Sequence, residues 1–284
     1  MLMTNTRRGL RGAAAILALA VLGYGGALGW LVAQETQLVF RAGRPLGPGR
    51  PAFAFEEVRL PRADAARQFG WVMKAEAAAA DAPWVLYFHG NAATIASRGN
   101  LARYGQLHGM GLHVLAPEYR GFGGLDGEPS EASLALDARA AYDYLRKDLA
   151  VPPERIIVFG WSLGSAVAVG IASEVPQAAV ILEGAPASIA DIGAIQYPMF
   201  PIRLVMRNPF DSIAKVDRIR APILFLHSPE DDVIPIGEGR RLFDAATAPK
   251  TFVEVRGGHI YANDVDRSVF EGAIKSFLER AGLR

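Results

Sequence analysis

An apolar, β-branched run meets a glycine-flanked serine between Ile156 and Ala166, and few folds accommodate such a junction. Ile156–Phe159 has the composition of a buried strand, and the small residues that follow Gly164 have helical spacing. Between them, Gly-Trp-Ser-Leu-Gly fits the pattern of a sharp strand-to-helix turn that holds the hydroxyl of Ser162 out of the strand. The first N–H groups of such a helix are free to stabilise negative charge. The stretch therefore predicts a strand, a tight turn and a helix, with Ser162 as a candidate nucleophile.

Apolar strand patterns alternate with amphipathic helical patterns from Trp84 to the C-terminus. Because the strands are apolar throughout, we expect an α/β fold with a mostly parallel central sheet and helices on both faces. Two short strands, 55–60 and 69–74, predict an antiparallel opening to this sheet. The later strands are predicted at 84–88, 112–116, 156–159, 179–182, 223–226 and 252–255. The helices are predicted at 94–108, 131–147, 163–173, 237–246 and 265–281.

Charge and composition exclude several classes of function. The formal net charge of +1 and the scattered arginines offer no basic surface, so we expect no nucleic-acid partner. The chain has no cysteine, which excludes disulfides, thiolate metal sites and cysteine nucleophiles. The run Glu230-Asp231-Asp232 is a weak metal candidate, because consecutive side chains diverge and no histidine pair completes a coordination shell. We therefore expect neither a metal nor an organic cofactor.

Candidate partners for Ser162 follow later strands, at the edge where parallel sheets collect functional groups. Asp231, in the loop after strand 223–226, is the preferred acid by its distance from the strand, and Asp232 is the alternative. His259 comes directly after two glycines at the end of strand 252–255 and is the preferred general base. Together they predict a Ser-Asp-His triad.

The loop after strand 84–88 is a candidate oxyanion hole. It reads His89-Gly90-Asn91-Ala92, and the glycine lets the main-chain N–H of Asn91 point to the same place as that of Leu163. His89 is interpreted as holding this loop by hydrogen bonds, with general base as the alternative. Candidate pocket residues are His89, Gly90, Tyr119 and Trp161, although the glycine-rich loop after Tyr119 also fits a connection without ligand contact.

The N-terminal part divides by composition. Residues 1–12 are basic, 13–33 form an uncharged run of roughly 30 Å as a helix, 34–52 are rich in glycine and proline, and 53–284 form the main domain. The run predicts a single-pass membrane helix, with a cleaved signal peptide as the alternative, and the third segment predicts a tether. Arginines before the span favour a main domain outside the cytoplasm, periplasmic in a bacterium.

Several motifs together resemble those of the α/β-hydrolase superfamily, in the order in which they occur there. Within it, the chain is similar to small membrane-anchored serine hydrolases of the branch that includes bem46 and acyl-protein depalmitoylases. The resemblance covers nearly everything from Phe53 onward and implies the same fold without a full cap domain. The motifs are His89-Gly90-Asn91-Ala92, Tyr119-Arg120-Gly121-Phe122-Gly123, Gly127-x-Pro129-Ser130-Glu131, Gly160-Trp161-Ser162-Leu163-Gly164, Phe210-Asp211-Ser212 and Gly257-Gly258-His259.

A short apolar insertion between Gly184 and Ile219 bears on the substrate. It is interpreted as one wall of a hydrophobic pocket, with packing on the core or on the bilayer as alternatives. With the triad, it predicts cleavage of carboxylic esters or thioesters of lipid-like or acyl-chain substrates through an acyl-enzyme. The alternatives are a serine peptidase or amidase of the same fold and a membrane-tethered binding protein without turnover.

Overall fold

The computed structural model describes residues 2–64, 66–76 and 82–283, with side chains described from residue 12 onward. Its strands are β1 (Glu56–Arg59), β2 (Phe69–Met73), β3 (Trp84–Phe88), β4 (His113–Pro117), β5 (Ile156–Trp161), β6 (Ala179–Glu183), β7 (Ile223–His227) and β8 (Lys250–Glu254). They form one sheet in the order β1-β2-β4-β3-β5-β6-β7-β8. The pairs β1–β2 and β2–β4 are antiparallel and the other five are parallel, which confirms the predicted sheet.

Helices cover both faces of this sheet. They are α1 (Leu2–Ala33), α2 (Glu35–Phe40), α3 (Arg98–Gly109), α4 (Glu131–Lys147), α5 (Leu163–Ala172), α6 (Ile189–Gln196), α7 (Ile202–Val205), α8 (Ile236–Ala245), α9 (Gly258–Val265) and α10 (Arg267–Arg280), with 3₁₀ turns at Pro153–Arg155 and Val216–Arg218. Side chains of α4 and α5 belong to the core on one face, and those of α3 and α10 to the core on the other.

The strand before Ser162 is buried on both sides, which explains its unbroken apolar sequence. Ile156 and Val158 pack in one core, whereas Ile157 and Phe159 pack in the other, and all four are fully buried. Successive side chains of a strand point to opposite faces, so a central strand needs an apolar residue at every position. This burial fixes the turn that follows β5 at the centre of the sheet.

Helix α1 includes a segment, Gly12–Ala33, that is long and apolar enough to cross a membrane. Its side chains are almost all exposed, and only its last turns pack on the domain. The side chains of Arg7, Arg8 and Arg11, on which the expected orientation rests, lie outside the described residues.

The structure corrects the expectation of a tether for part of residues 34–52. Residues 35–40 form α2, and its Val39 and Phe40 are buried in the main core. Main-chain oxygens of these two residues accept hydrogen bonds from Asn91 Nδ2 and from the N–H of Ala92. The apolar pair therefore makes this segment part of the domain, beside the predicted oxyanion loop.

Helices α6, α7 and α9 were not predicted. The first two are short and lie in the apolar insertion, where prolines interrupt any longer periodic pattern. Helix α9 begins one residue before His259 and is only eight residues long, so its two turns gave little periodic signal.

Candidate active site

Ser162 occupies a strained turn between β5 and α5. Its φ and ψ angles are 56° and −124°, a conformation that residues with a side chain rarely adopt. A Cβ on Gly160 would lie 2.2 Å from the carbonyl oxygen of Gly164, and one on Gly164 would lie 2.1 Å from that of Phe88. Only glycine therefore fits on either side of the serine, which gives the sequence pattern a steric cause.

Ser162, His259 and Asp231 form a continuous hydrogen-bonded chain. His259 Nε2 lies 2.8 Å from Ser162 Oγ, and its Nδ1 lies 2.7 Å from Asp231 Oδ2. Ser162 directly follows β5, Asp231 lies in the loop after β7, and His259 lies in the first turn of α9. Parallel strands bring these segments together at the carboxyl edge of the sheet.

The two candidate acids differ in environment. Asp231 is buried, and its Oδ1 accepts the main-chain N–H groups of Val233 and Ile234 at 3.0 and 2.7 Å, which holds Oδ2 toward His259. Asp232 is exposed to solvent. The geometry therefore pairs His259 with the preferred acid and not with the alternative.

His227 is a second imidazole near Asp231, but its contacts differ from those of His259. Burial lowers the pKa of His227, which favours the neutral ring. In that form Nε2–H donates to the carbonyl oxygen of Ile234 at 2.9 Å, and the same nitrogen lies 3.6 Å from Asp231 Oδ2. His227 thus fixes the loop that carries Asp231.

The predicted oxyanion donors belong to residues that line the same cavity as Ser162. Leu163 provides the first N–H of α5, and Asn91 follows β3; both residues line the same cavity as the serine. Gly90 packs so closely that a Cβ there would lie 3.2 Å from Ser162 Cβ. Neither N–H has a hydrogen-bond acceptor among the described residues, so both remain free to bind an oxyanion.

Glu118, which the sequence did not predict, holds the predicted oxyanion loop by hydrogen bonds. Its carboxylate lies 2.8 Å from His89 Nε2 and accepts the N–H groups of Ile95 and Tyr119. Tyr119 in turn donates its hydroxyl to the carbonyl oxygen of His89. The side-chain hydrogen bonds of His89 are thus with Glu118 and with its own loop, and none of them is with the triad. The available signal was an acidic residue directly after an apolar strand, β4.

A second buried group, also missed, supports the turn at Ser162. Arg103 pairs with Glu183 through two nitrogens, and its guanidinium lies 4.3 Å from the centre of the Trp161 ring. Trp161 Nε1 donates to the main-chain oxygen of His259 at 3.1 Å. The ion pair thus positions the histidine through the tryptophan. Glu183, like Glu118, is an acidic residue at the end of an apolar strand.

Ser162 opens into a cavity of about 620 Å³ with mostly apolar walls. This volume is typical of sites that bind small organic molecules. Of the predicted pocket residues, Gly90 and Trp161 line it, whereas His89 and Tyr119 are fully buried and do not line it. The apolar walls come from α1 and α2 and from the insertion: Leu31, Val32, Leu38, Val39, Ile189, Ile192, Tyr197, Ile202, Val205 and Met206.

Among the described residues, no group of three or more histidine or acidic side chains is arranged to hold a metal ion. The carboxylates of residues 230–232 diverge, as their sequence spacing predicts. Glu230 accepts the N–H of Gly257, while Asp231 faces His259.

Comparison with known proteins agrees with this architecture. The sequence matches the Alpha/beta hydrolase family over residues 85–211. It is 30% identical to the alpha/beta hydrolase domain-containing protein WAV2 of Arabidopsis thaliana, over 75% of each chain. It is 29% identical to bem46 of Schizosaccharomyces pombe, over 74% of each chain. The fold of the Pyrococcus furiosus esterase Pf2001 matches 85% of this chain and 97% of that one, with a TM-score of 0.70 at 17% identity. This chain belongs to the alpha/beta hydrolase family, in the branch that includes bem46.

Proposed function

We propose that this protein is a serine hydrolase that cleaves ester or thioester bonds of acyl-chain substrates. The observation that carries the proposal is the unbroken contact from Asp231 through His259 to Ser162, on a serine with a positive φ angle. A nucleophile within hydrogen-bond distance of a base, itself oriented by an acid, is the arrangement that activates a serine hydroxyl.

The proposed reaction has two acyl-transfer steps. His259 Nε2 takes the proton of Ser162 as Oγ attacks the carbonyl carbon, and the oxyanion is stabilised by the N–H groups of Leu163 and Asn91. The same imidazolium protonates the departing alcohol or thiol, which leaves an acyl-enzyme. A water molecule, deprotonated by His259, then attacks the acyl carbon, and Ser162 recovers its proton as the carboxylic acid leaves.

The cavity supports an apolar acyl group as the part of the substrate that is recognised. Ile192, Ile202 and Met206 of the insertion face the same space as Val32 and Leu38 of the N-terminal helices. Burying each methylene of a chain there is worth about 0.8 kcal/mol, which is at most about fourfold in kcat/KM per carbon.

The first experiment is labelling with a fluorophosphonate serine probe. We expect the wild-type protein to be labelled, Ser162→Ala to be unlabelled, and Ser173→Ala, at the other end of α5, to be labelled like the wild type. A folded wild-type protein that is not labelled contradicts the proposal and favours a binding protein without turnover.

The second experiment measures kcat/KM for p-nitrophenyl esters from two to sixteen acyl carbons. We expect values to rise with chain length until the cavity is filled. The p-nitroanilide of the best acyl group tests the amidase alternative, and a faster anilide than ester contradicts the proposed bond preference. A flat chain-length series contradicts recognition of the acyl chain.

We also propose that α1 is retained as a membrane anchor, with the catalytic domain outside the cytoplasm. If the helix were a signal peptide, the small-x-small stretch Ala27-Leu28-Gly29 would be its cleavage site, and Tyr24 would be removed. Tyr24 contacts the domain through Met199 and Phe200, which supports retention. Intact mass measurement of the membrane-extracted protein tests retention, and protease protection in sealed vesicles tests orientation. A mature N-terminus after residue 29 contradicts the anchor.

A further inference from the structure

The insertion exposes large apolar side chains to an unusual degree. Met199 and Leu204 are 78% and 86% exposed, more than any other large apolar side chain that the structure describes outside α1. Ile195, in the same segment, is 51% exposed. Exposed apolar patches of this kind mark a binding surface, and the surroundings of the segment identify its partner.

Residues 199–207 of the insertion run along the C-terminal half of α1 in the same chain direction as the helix. At one end, Arg207 donates to the main-chain oxygen of Val32 and to the carboxylate of Glu35. At the other end, Tyr24 stacks on Phe200 with ring centres 5.0 Å apart. The hydroxyl of Tyr24 also donates to the carbonyl oxygen of residue 199 at 2.8 Å. The contacts thus progress from the end of the helix toward its middle.

This contact lies deep along the apolar helix. Tyr24 precedes Ala33 by nine residues, which corresponds to about 13.5 Å along a helix axis. Half of a hydrocarbon core is about 15 Å thick. With Gly12–Ala33 across a bilayer, the turn at residues 199–200 lies at the depth of the leaflet that the second half of α1 crosses.

The main chain of the insertion is suited to that depth. Irregular backbone within a membrane must have its polar groups bonded inside the protein. Pro198 and Pro201 have no N–H, and the N–H groups of Phe200, Ile202 and Leu204 donate to main-chain oxygens of nearby residues. Arg203, the charged residue of the segment 195–204, pairs with the buried Asp191, and Arg207 pairs with Glu35 near the end of α1.

The cavity lies between α1 and the insertion. Leu31 and Val32 of α1 line it together with Tyr197, Ile202 and Val205 of the insertion, and Ser162 lines the same cavity. We propose that residues 195–204 are embedded in the leaflet crossed by the C-terminal half of α1, and that acyl chains reach Ser162 laterally from it. The second part rests on the proposed function; the first does not.

The natural absence of cysteine allows a direct test of depth. The single variants Met199→Cys, Leu204→Cys and, as an exposed control, Glu174→Cys each carry a nitroxide in full-length protein reconstituted in phosphatidylcholine vesicles. We expect the labels at 199 and 204 to be relaxed more by oxygen than by a water-soluble nickel chelate, and the label at 174 to show the reverse. Equal access of the nickel chelate to all three labels overturns the embedding.

A paired assay tests lateral access. Leu204→Glu lies outside the cavity lining, and Leu136→Glu, at an exposed leucine of α4, is the matched control. We expect Leu204→Glu to hydrolyse a long-chain ester in vesicles at least tenfold more slowly than the wild type, and a short water-soluble ester at the wild-type rate. We expect Leu136→Glu to hydrolyse both esters at the wild-type rates. Equal rates of wild type and Leu204→Glu on vesicles, or equal loss on both esters, overturn lateral access.

Failure of the proposed function is recognised separately. A wild-type protein that hydrolyses neither ester and is not labelled by a fluorophosphonate contradicts the serine hydrolase, whereas the nitroxide measurement still decides whether the insertion is embedded.

Discussion

Replacing Asp231 with asparagine changes the proposed triad with little change of shape. Oδ1 of Asp231 accepts the N–H groups of Val233 and Ile234, while Oδ2 lies 2.7 Å from His259 Nδ1. An asparagine that keeps both main-chain bonds must place its NH₂ group at His259 Nδ1. Two donors cannot share that contact, so Nδ1 is unprotonated and the ring carries its proton on Nε2. A protonated Nε2 cannot accept the proton of Ser162.

The expected magnitude follows from that tautomer. The same substitution in a Ser-His-Asp triad lowers kcat about 10⁴-fold. Asp231 is buried, and its two hydrogen bonds to main-chain N–H groups survive the change. We therefore expect kcat/KM to fall about 10³–10⁴-fold, which corresponds to an activation barrier higher by about 4–5.5 kcal/mol. The melting temperature changes little, because the NH₂ group still donates to Nδ1.

The assay is hydrolysis of a short p-nitrophenyl ester by the full-length protein in detergent, with thermal unfolding followed in parallel. Asp232→Asn is the matched control, because its carboxylate is exposed and does not contact His259; we expect its kcat/KM to stay within twofold of the wild type. A loss below tenfold in folded Asp231→Asn, or an equal loss in Asp232→Asn, refutes the assigned acid.

Three further substitutions test the supports of the site. Gly164→Ala places a Cβ 2.1 Å from a carbonyl oxygen of β3, so we expect a drop in melting temperature of more than 5 °C or no folded protein. The control is Gly170→Ala, in the same helix with open space around it, which we expect to raise the melting temperature. Glu118→Gln weakens three buried contacts. We expect kcat/KM to fall at least tenfold and the free energy of unfolding in urea to fall by about 1–3 kcal/mol. Unchanged kinetics would contradict the support of the predicted oxyanion loop by Glu118. Burial opposes ionisation of Glu35, but hydrogen bonds from the insertion outweigh this effect and lower the pKa of Glu35 below the usual 4.5. The carboxylate therefore stabilises the fold at pH values above its unfolded pKa. This stabilisation is lost as the pH falls through the folded pKa. Glu35→Gln should therefore reduce stability by about 1–3 kcal/mol at pH 7, with a smaller difference from the wild type near pH 3.5, and a difference that does not shrink contradicts the argument.

The sequence predicted the sheet and the order of the proposed triad because their signals are local. An unbroken apolar strand predicts burial on both faces, and β5 has that burial. The glycines around Ser162 predict a tight turn, and the structure gives the two contacts that exclude a side chain. The catalytic roles of Ser162, Asp231 and His259 stay predictions, which the serine probe and the asparagine variant test.

The supports of the site involve partners far apart in the chain. Arg103 and Glu183 are 80 residues apart, and His89 and Glu118 are 29 apart. An acidic residue at a strand end is visible in the sequence, but its partner depends on which strands are neighbours. The neighbouring strands β4 and β3 place Glu118 beside His89, whereas Arg103 reaches Glu183, at the end of β6, from helix α3. The strand order is a property of the assembled sheet.

The sequence by itself determined the α/β fold, the turn that carries Ser162, the apolar N-terminal helix and the candidates for acid and base, because each depends on residues within a few positions of one another. Only the tertiary structure decided that Asp231 rather than Asp232 faces His259, and that α2 is part of the domain. It also placed the end of α1 and the insertion around one cavity with Ser162. These features depend on main-chain direction within a loop and on packing between distant segments, which no local pattern of residues specifies.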